Sequence, residues 1–247
     1  MKKTLTLILC SPFFISCVSS TSNSDIIKKL EVDFNYDEIS GSEVAYTGYS
    51  IKNQKYLNDL QNAGGDTFKL DLNIPSEVII EGKNYSVTVI GGNEFLNVYV
   101  RSVVIPKSVT RIEESAFVHY TKLESVDIPN SVTHIESKAF EGCIALRSLV
   151  IPASVTSIGA GVFSNCKYLE SITFENPEPP YSCSHDTEYY SSSGIPLPPP
   201  SINEPNLTHV FSGSNVKTVY VPAGAVDTYK DYFSFTLGME IDVLPIK

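Results

Sequence analysis

What the chain lacks narrows its chemistry first. It has no Gly-rich phosphate loop, no His-Glu-x-x-His and no Gly-x-Ser-x-Gly, so it carries none of the short motifs of nucleotide binding, zinc proteolysis or serine hydrolysis. Basic residues are few, 18 Lys and Arg against 28 Asp and Glu, giving a net charge of −10. An acidic surface argues against nucleic acid as a partner, because affinity for a phosphate backbone comes from Lys and Arg. Tryptophan is absent, and the aromatic content falls on 14 Tyr and 12 Phe, which suits a β-rich chain. Long apolar runs are also missing. The stretch from Leu5 to Leu9 is too short, and too soon followed by Ser11 and Pro12, for a stable transmembrane helix.

What is present is repetition. Val103-Val104-Ile105-Pro106 returns as Val126-Asp127-Ile128-Pro129 and Leu149-Val150-Ile151-Pro152, and Ile172-Thr173-Phe174 begins the phrase again. Phe117, Phe140 and Phe163 are 23 residues apart, as are Leu123, Leu146 and Leu169. A fixed period of this length predicts a solenoid in which each unit buries its apolar side against the next. Within a unit, Val126 and Ile128 alternate with Asp127 as a short strand ended by Pro129, and Val132 and Ile135 give a second extended piece. Residues 137–141, with Phe140 as anchor, read as one helical or 3₁₀ turn. The fold class is mainly β with short helical turns, a solenoid of about 23-residue units.

Ile128-Pro129-Asn130-Ser131-Val132-Thr133-His134-Ile135, then Ala139-Phe140, then Cys143-Ile144-Ala145-Leu146, resembles the BspA-like leucine-rich repeats of bacterial surface proteins. The resemblance covers roughly residues 72–175 and 207–243. It implies a leucine-rich-repeat solenoid with a binding or adhesion role rather than catalysis, and it carries no defined ligand and no catalytic residues; no cofactor is expected.

The N-terminus reads as an address. Lys2 and Lys3, a short apolar core and small residues predict a signal peptide over 1–16. Phe14-Ile15-Ser16-Cys17 resembles a bacterial lipobox, which implies lipidation of Cys17 and anchorage to a membrane without spanning it. Plain secretion and an uncleaved anchor are the alternatives. Residues 17–24 form a polar tether. Residues 25–71 lack the repeat and should be a β-rich N-terminal cap, with a strand from Leu30 to Tyr36, a turn at 38–42, a return strand at 43–47 and a turn at 62–66. The solenoid then occupies 72–247, closed by a short helix at 223–232 and a last strand at 241–245.

The rhythm breaks after Phe174. The next Phe of the series is due near position 186 and arrives at Phe211, so a Pro-, Tyr- and Ser-rich insert at 177–206 is expected as an exposed loop projecting near the strand face. Its Tyr181, Tyr189 and Tyr190 are candidate ligand contacts, the alternative being a disordered spacer. Cys183-Ser184-His185-Asp186 groups a thiol, an imidazole and a carboxylate, but a Ser- and Pro-rich loop offers no rigid element to hold them, so incidental polarity is the simpler reading. His119 and His134 sit on repeat turns as solvated surface. Cys143 and Cys166 share one repeat position. They are either a ladder of small buried side chains or a staple between units.

The outward strand positions carry the remaining candidates. One row reads Ser102, Ser125, Ser148, Ser171 and Thr218, and the next outward row reads Val104, Asp127, Val150, Thr173 and Tyr220. The residues before the serines, Arg101, Glu124, Arg147 and Glu170, alternate in charge. Ser102, Ser125, Asp127, Ser148, Ser171 and Thr173 are therefore candidate ligand-binding residues. The simpler reading of the serines is plain solvated strand positions. The expected function is a non-catalytic lipoprotein, surface exposed at the cell envelope, that recognises a protein or polysaccharide. The alternative is a structural subunit of an envelope assembly.

Overall fold

The computed structural model describes residues 4–8, 15–17, 32–51, 70–80, 82–91, 99–183, 210–237 and 241–247. These residues are mainly β, with little helix. The strands are β1 (Thr4–Ile8), β2 (Ile15–Cys17), β3 (Val32–Ser40), β4 (Glu43–Ile51), β5 (Leu70–Asn73), β6 (Glu77–Ile80), β7 (Lys83–Ile90), β8 (Val100–Val104), β9 (Arg111–Ile112), β10 (Ser125–Asp127), β11 (His134–Ile135), β12 (Ser148–Ile151), β13 (Ser157–Gly159), β14 (Ser171–Phe174), β15 (Tyr181–Cys183), β16 (Thr218–Val221) and β17 (Asp242–Pro245). A 3₁₀ turn at Ala223–Ala225 leads into helix α1 (Val226–Leu237).

At the N-terminal end β3 and β4 form an antiparallel hairpin across Gly41 and Ser42, longer than the alternation at 30–36 predicts. Tyr36 and Tyr46 meet edge to face inside it, with ring centroids 5.8 Å apart, and both are buried. β4 then pairs in parallel with β7, which joins the hairpin to the sheet of the repeats. β1 pairs antiparallel with β3, and β2 with β5. The turn expected at 62–66 lies outside the described residues.

The repeats pair in parallel. β10 lies on β8 with Val126 opposite Val103, β11 on β9 with Ile135 opposite Ile112, and β14 on β12 with Ile172 opposite Leu149; each pair is 23 residues apart in sequence. The reason is periodicity alone. A strand of two to five residues has no partner within its own unit, so its backbone groups are satisfied by the equivalent strand of the next. The turns are hydrogen bonded in the same way. Phe117 N donates to Ala139 O at 2.7 Å, Phe140 N to Val162 O at 3.0 Å and Phe163 N to Val210 O at 2.8 Å. Thr133 and Thr156 each donate a backbone N–H to the threonine carbonyl of the unit before.

The core follows from this stacking. Phe117, Phe140, Phe163 and Phe211 form one aromatic column, with ring centroids 5.2, 5.9 and 5.8 Å apart and planes within 10–13° of parallel. Helix α1 closes the column, placing Phe233 6.2 Å from Phe211 and Tyr229 5.5 Å from Phe174. Cys143 and Cys166 are buried free thiols. Each Sγ donates to a carbonyl of the preceding unit, Phe117 O at 3.2 Å and Phe140 O at 3.1 Å, so the two side chains run side by side as a ladder.

One expectation about local structure is corrected. Residues 137–141 are not helical. Lys138 has φ +59°, as Ser115 (+58°) and Gly161 (+66°) do at the same repeat position, and a left-handed residue breaks any helical turn there. A second left-handed position recurs at His119, Gly142, Asn165 and Gly213. His119 is exposed, as expected for a repeat turn, and its ring lies against the next unit's glycine, where a Cβ on Gly142 would stand 2.3 Å from His119 Nδ1. His134 is half-buried, with Nδ1 2.8 Å from Thr133 Oγ1.

Candidate binding face

The strands β8, β10, β12, β14 and β16 alternate their side chains. Val103, Leu149, Ile172 and Val219 point into the core and are buried, with Val126 half-buried, while the Ser/Thr row and the row of Val104, Asp127, Val150, Thr173 and Tyr220 face outward. Ser125, Asp127 and Ser148 are exposed, and Ser171 and Thr173 are half-buried. Ser102 is already engaged. Its Oγ donates to Asp71 Oδ1 at 2.6 Å, and Asp71 also receives a two-pronged ion pair from Arg101, Nε at 2.8 Å and Nη2 on the other oxygen. At that end the hydroxyl row is tied into the structure through Asp71.

The face is interrupted at one place. Strands β5, β8 and β10 form one ladder and β12, β14, β16 and β17 another, and among the described residues no ladder joins β10 to β12. On the other side of the same two units, β11 and β13 remain paired. There the backbones approach so closely that a Cβ on Gly159 would lie 2.2 Å from Ser137 N, where the two preceding units carry Glu113 and Glu136. Units held tight on one side and parted on the other leave a depression of about 670 Å³ on the strand face. Ser102, Ser125, Asp127 and Ser148 line it, together with Val104 and Val150, which are 42% and 50% exposed. A second hollow of about 340 Å³ adjoins at Glu124 and is bordered by Arg147 and Tyr168, whose ring lies 5.8 Å from the guanidinium.

The insert departs from expectation. Tyr181 begins β15, which pairs in parallel with β13, so the chain crosses to the other sheet before residue 183. Tyr181 is therefore not beside the Ser/Thr row, although it is 48% exposed. The segment before it is fixed by helix α1: Tyr229 Oη donates to Asn176 O and Glu178 O, and Tyr232 Oη to Pro180 O at 2.6 Å. Tyr189, Tyr190, His185 and Asp186 lie outside the described residues. Val104, Val150 and Glu175 belong to the depression although hydroxyl and charge patterns do not single them out. Two of the three stood in the outward row and were legible there; Tyr168 has no repeated counterpart that would mark it.

Residues 88–180 match the family described as BspA type leucine rich repeat region, in six copies. The chain carries a BspA-type leucine-rich repeat region. The depression falls within this region. No curated protein is a significant match to the chain. Among solved structures, the chain is similar to a leucine-rich repeat protein from Bacteroides capillosus, with 28% identity, TM-score 0.46, and coverage of 58% of this chain and 94% of that one. It is also similar to one from Bacteroides ovatus, with 21% identity, TM-score 0.47, and coverage of 86% and 51%. A third is the T. pallidum leucine rich repeat protein, with 20% identity, TM-score 0.45, and coverage of 71% and 70%.

Proposed function

We propose that the chain is a leucine-rich-repeat solenoid of 23-residue units that binds a macromolecule, protein or polysaccharide, at the cell envelope through its outward strand face, without catalysing a reaction. The observation that carries this is the depression itself. Exposed valines, hydroxyls and carboxylates share one strand face, and its backbone is held in place by a stacked core. Membership of a BspA-type repeat family supports a surface binding role over an enzymatic one. Among the described residues, no group of three or more His, Cys, Asp or Glu is placed to hold a metal ion.

Export and anchorage complete the proposal. Residues 1–16 are removed as a signal peptide, taking β1 with them, and acylated Cys17 tethers the protein to a bacterial membrane. The sequence Phe14-Ile15-Ser16-Cys17 is the support for this. Capture by the immobilised protein tests the binding reading. The native chain should retain material from cell-envelope extracts or foreign surfaces that a Ser125→Arg/Ser148→Arg double variant loses, while circular dichroism shows the variant folded. Equal retention by the folded variant would place the site elsewhere. Retention of the cell's own envelope proteins alone would favour an assembly role over adhesion.

A further inference from the structure

We propose that the depression takes a cationic, extended polypeptide segment. In this arrangement the aliphatic stem of a partner Lys or Arg lies along Val104 and Val150, and its charged head meets the Asp127 carboxylate. The inference rests on the strand-face reading above and names the partner's chemistry.

The outward rows differ in how their charges are balanced. Glu124 stands between Arg101 and Arg147 in its row, so its charge has basic neighbours one unit away on either side. Asp127 has none. Its row places Val104 one unit before and Val150 one unit after, and both valines are exposed. Asp127 makes no ion pair among the described residues. Among the described residues, the carboxylates lining the depression are Glu124, Asp127 and Glu175, and no Lys or Arg lines it. An uncompensated carboxylate between two apolar patches is complementary to a side chain that is apolar along its stem and positive at its tip. Covering the site with that stem removes water from around the carboxylate, which strengthens the attraction over that of an open surface pair.

The same residues disfavour a neutral glycan in this position. Among the described residues the depression has no aromatic ring on which a sugar could stack, and the valine side chains offer it no hydrogen bond. Ser125 and Ser148, exposed in the adjacent row, supply hydroxyls that can bond an extended backbone.

The test uses a short, end-blocked, fluorescent peptide of alternating Lys and Val, followed by anisotropy against the full chain, Asp127→Asn and Asp227→Asn. Asp227 is an exposed carboxylate at the start of helix α1, so its variant makes the same charge change away from the face. Binding by the native chain should weaken roughly tenfold in Asp127→Asn, as for loss of a charge-assisted contact. It should weaken with added salt and be unaltered in Asp227→Asn. Equal weakening by both variants would mean attraction to overall negative charge and would overturn the proposal. If the peptide does not bind while the Ser125→Arg/Ser148→Arg variant still abolishes envelope capture, the strand face stands and its cationic occupant falls. If the peptide does not bind and that variant captures normally, both readings fall.

Discussion

Removing the ring of Phe140 tests the stacked core in quantitative terms. Phe140 has no exposed surface and lies in the middle of the aromatic column, 5.2 Å from Phe117 and 5.9 Å from Phe163. Truncating a buried Phe to Ala costs about 3–5 kcal/mol, because the transfer energy of the ring is lost and a cavity remains. Here the upper end applies, since two parallel ring contacts, each about 0.5–1.5 kcal/mol beyond area burial, vanish together. The neighbouring backbones are tied by Phe140 N to Val162 O and by Cys166 Sγ to Phe140 O, which limits collapse into the gap. A loss of about 5 kcal/mol is a third or more of the roughly 5–15 kcal/mol that stabilises an ordinary domain. At roughly 2–4 °C per kcal/mol for a chain of this size, the melting temperature should fall by about 10–20 °C. Urea denaturation followed by circular dichroism gives the free energy, and the rate at which Cys143 and Cys166 react with a thiol reagent reports on the flanking units. Both thiols should become more reactive, because units that share a core weaken together. A loss below about 1 kcal/mol, a value typical of exposed positions, would refute the inward placement of Phe140 and the shared core with it.

Other outcomes follow from single contacts. Cys17→Ala should move the protein from the membrane pellet to the soluble fraction, and unchanged fractionation with no lipid labelling would defeat the acylation proposal. Gly159→Ala should cost about 2–3 kcal/mol in urea unfolding, because the added Cβ meets the backbone of Ser137, whereas Gly224→Ala, with open space around it, should stay within about 0.5 kcal/mol. Burial pushes the Cys166 thiol up to about 12 from an ordinary value of 9.0, and Cys143 rises for the same reason. Both should therefore resist alkylation in the folded protein and react in urea. Because the folded thiols hold their protons more tightly, they lend stability that is intact below about pH 9 and declines as pH rises towards 12.

The sequence made the core legible and the surface less so. Apolar positions recurring every 23 residues leave few ways to bury them, so the Phe column and the parallel strand partners were readable from the repeat, whereas the choice between a Cys ladder and a staple awaited the two free thiols of the structure. The closing helix expected at 223–232 runs from Val226 to Leu237 after a 3₁₀ turn, and the last strand expected at 241–245 is Asp242–Pro245. The left-handed turn positions were not. Ser115, Lys138, His119 and Asn165 are not glycine, and nothing in one sequence marks a non-glycine residue for positive φ when hydrogen bonding between units imposes it. The start of the insert was misplaced because Pro177, Pro179 and Pro180 read as a loop, whereas they lead into β15 and their segment is held by Tyr229 and Tyr232. The candidate face was half legible. Its outward rows follow from alternation, but the opening between β10 and β12 does not, since Val126 and Leu149 keep the repeat. Only Gly159, standing where two earlier units have Glu, hinted that these units differ.

The central claim is that the outward strand face is the binding surface, and photo-cross-linking tests it whatever the partner's identity. p-Benzoylphenylalanine would replace Ser148, exposed on the strand face, or Lys138, exposed on the turns, in the protein displayed on its own cells. The account predicts a cross-linked adduct on irradiation from position 148 and none from 138. Adducts from 138 alone would contradict it.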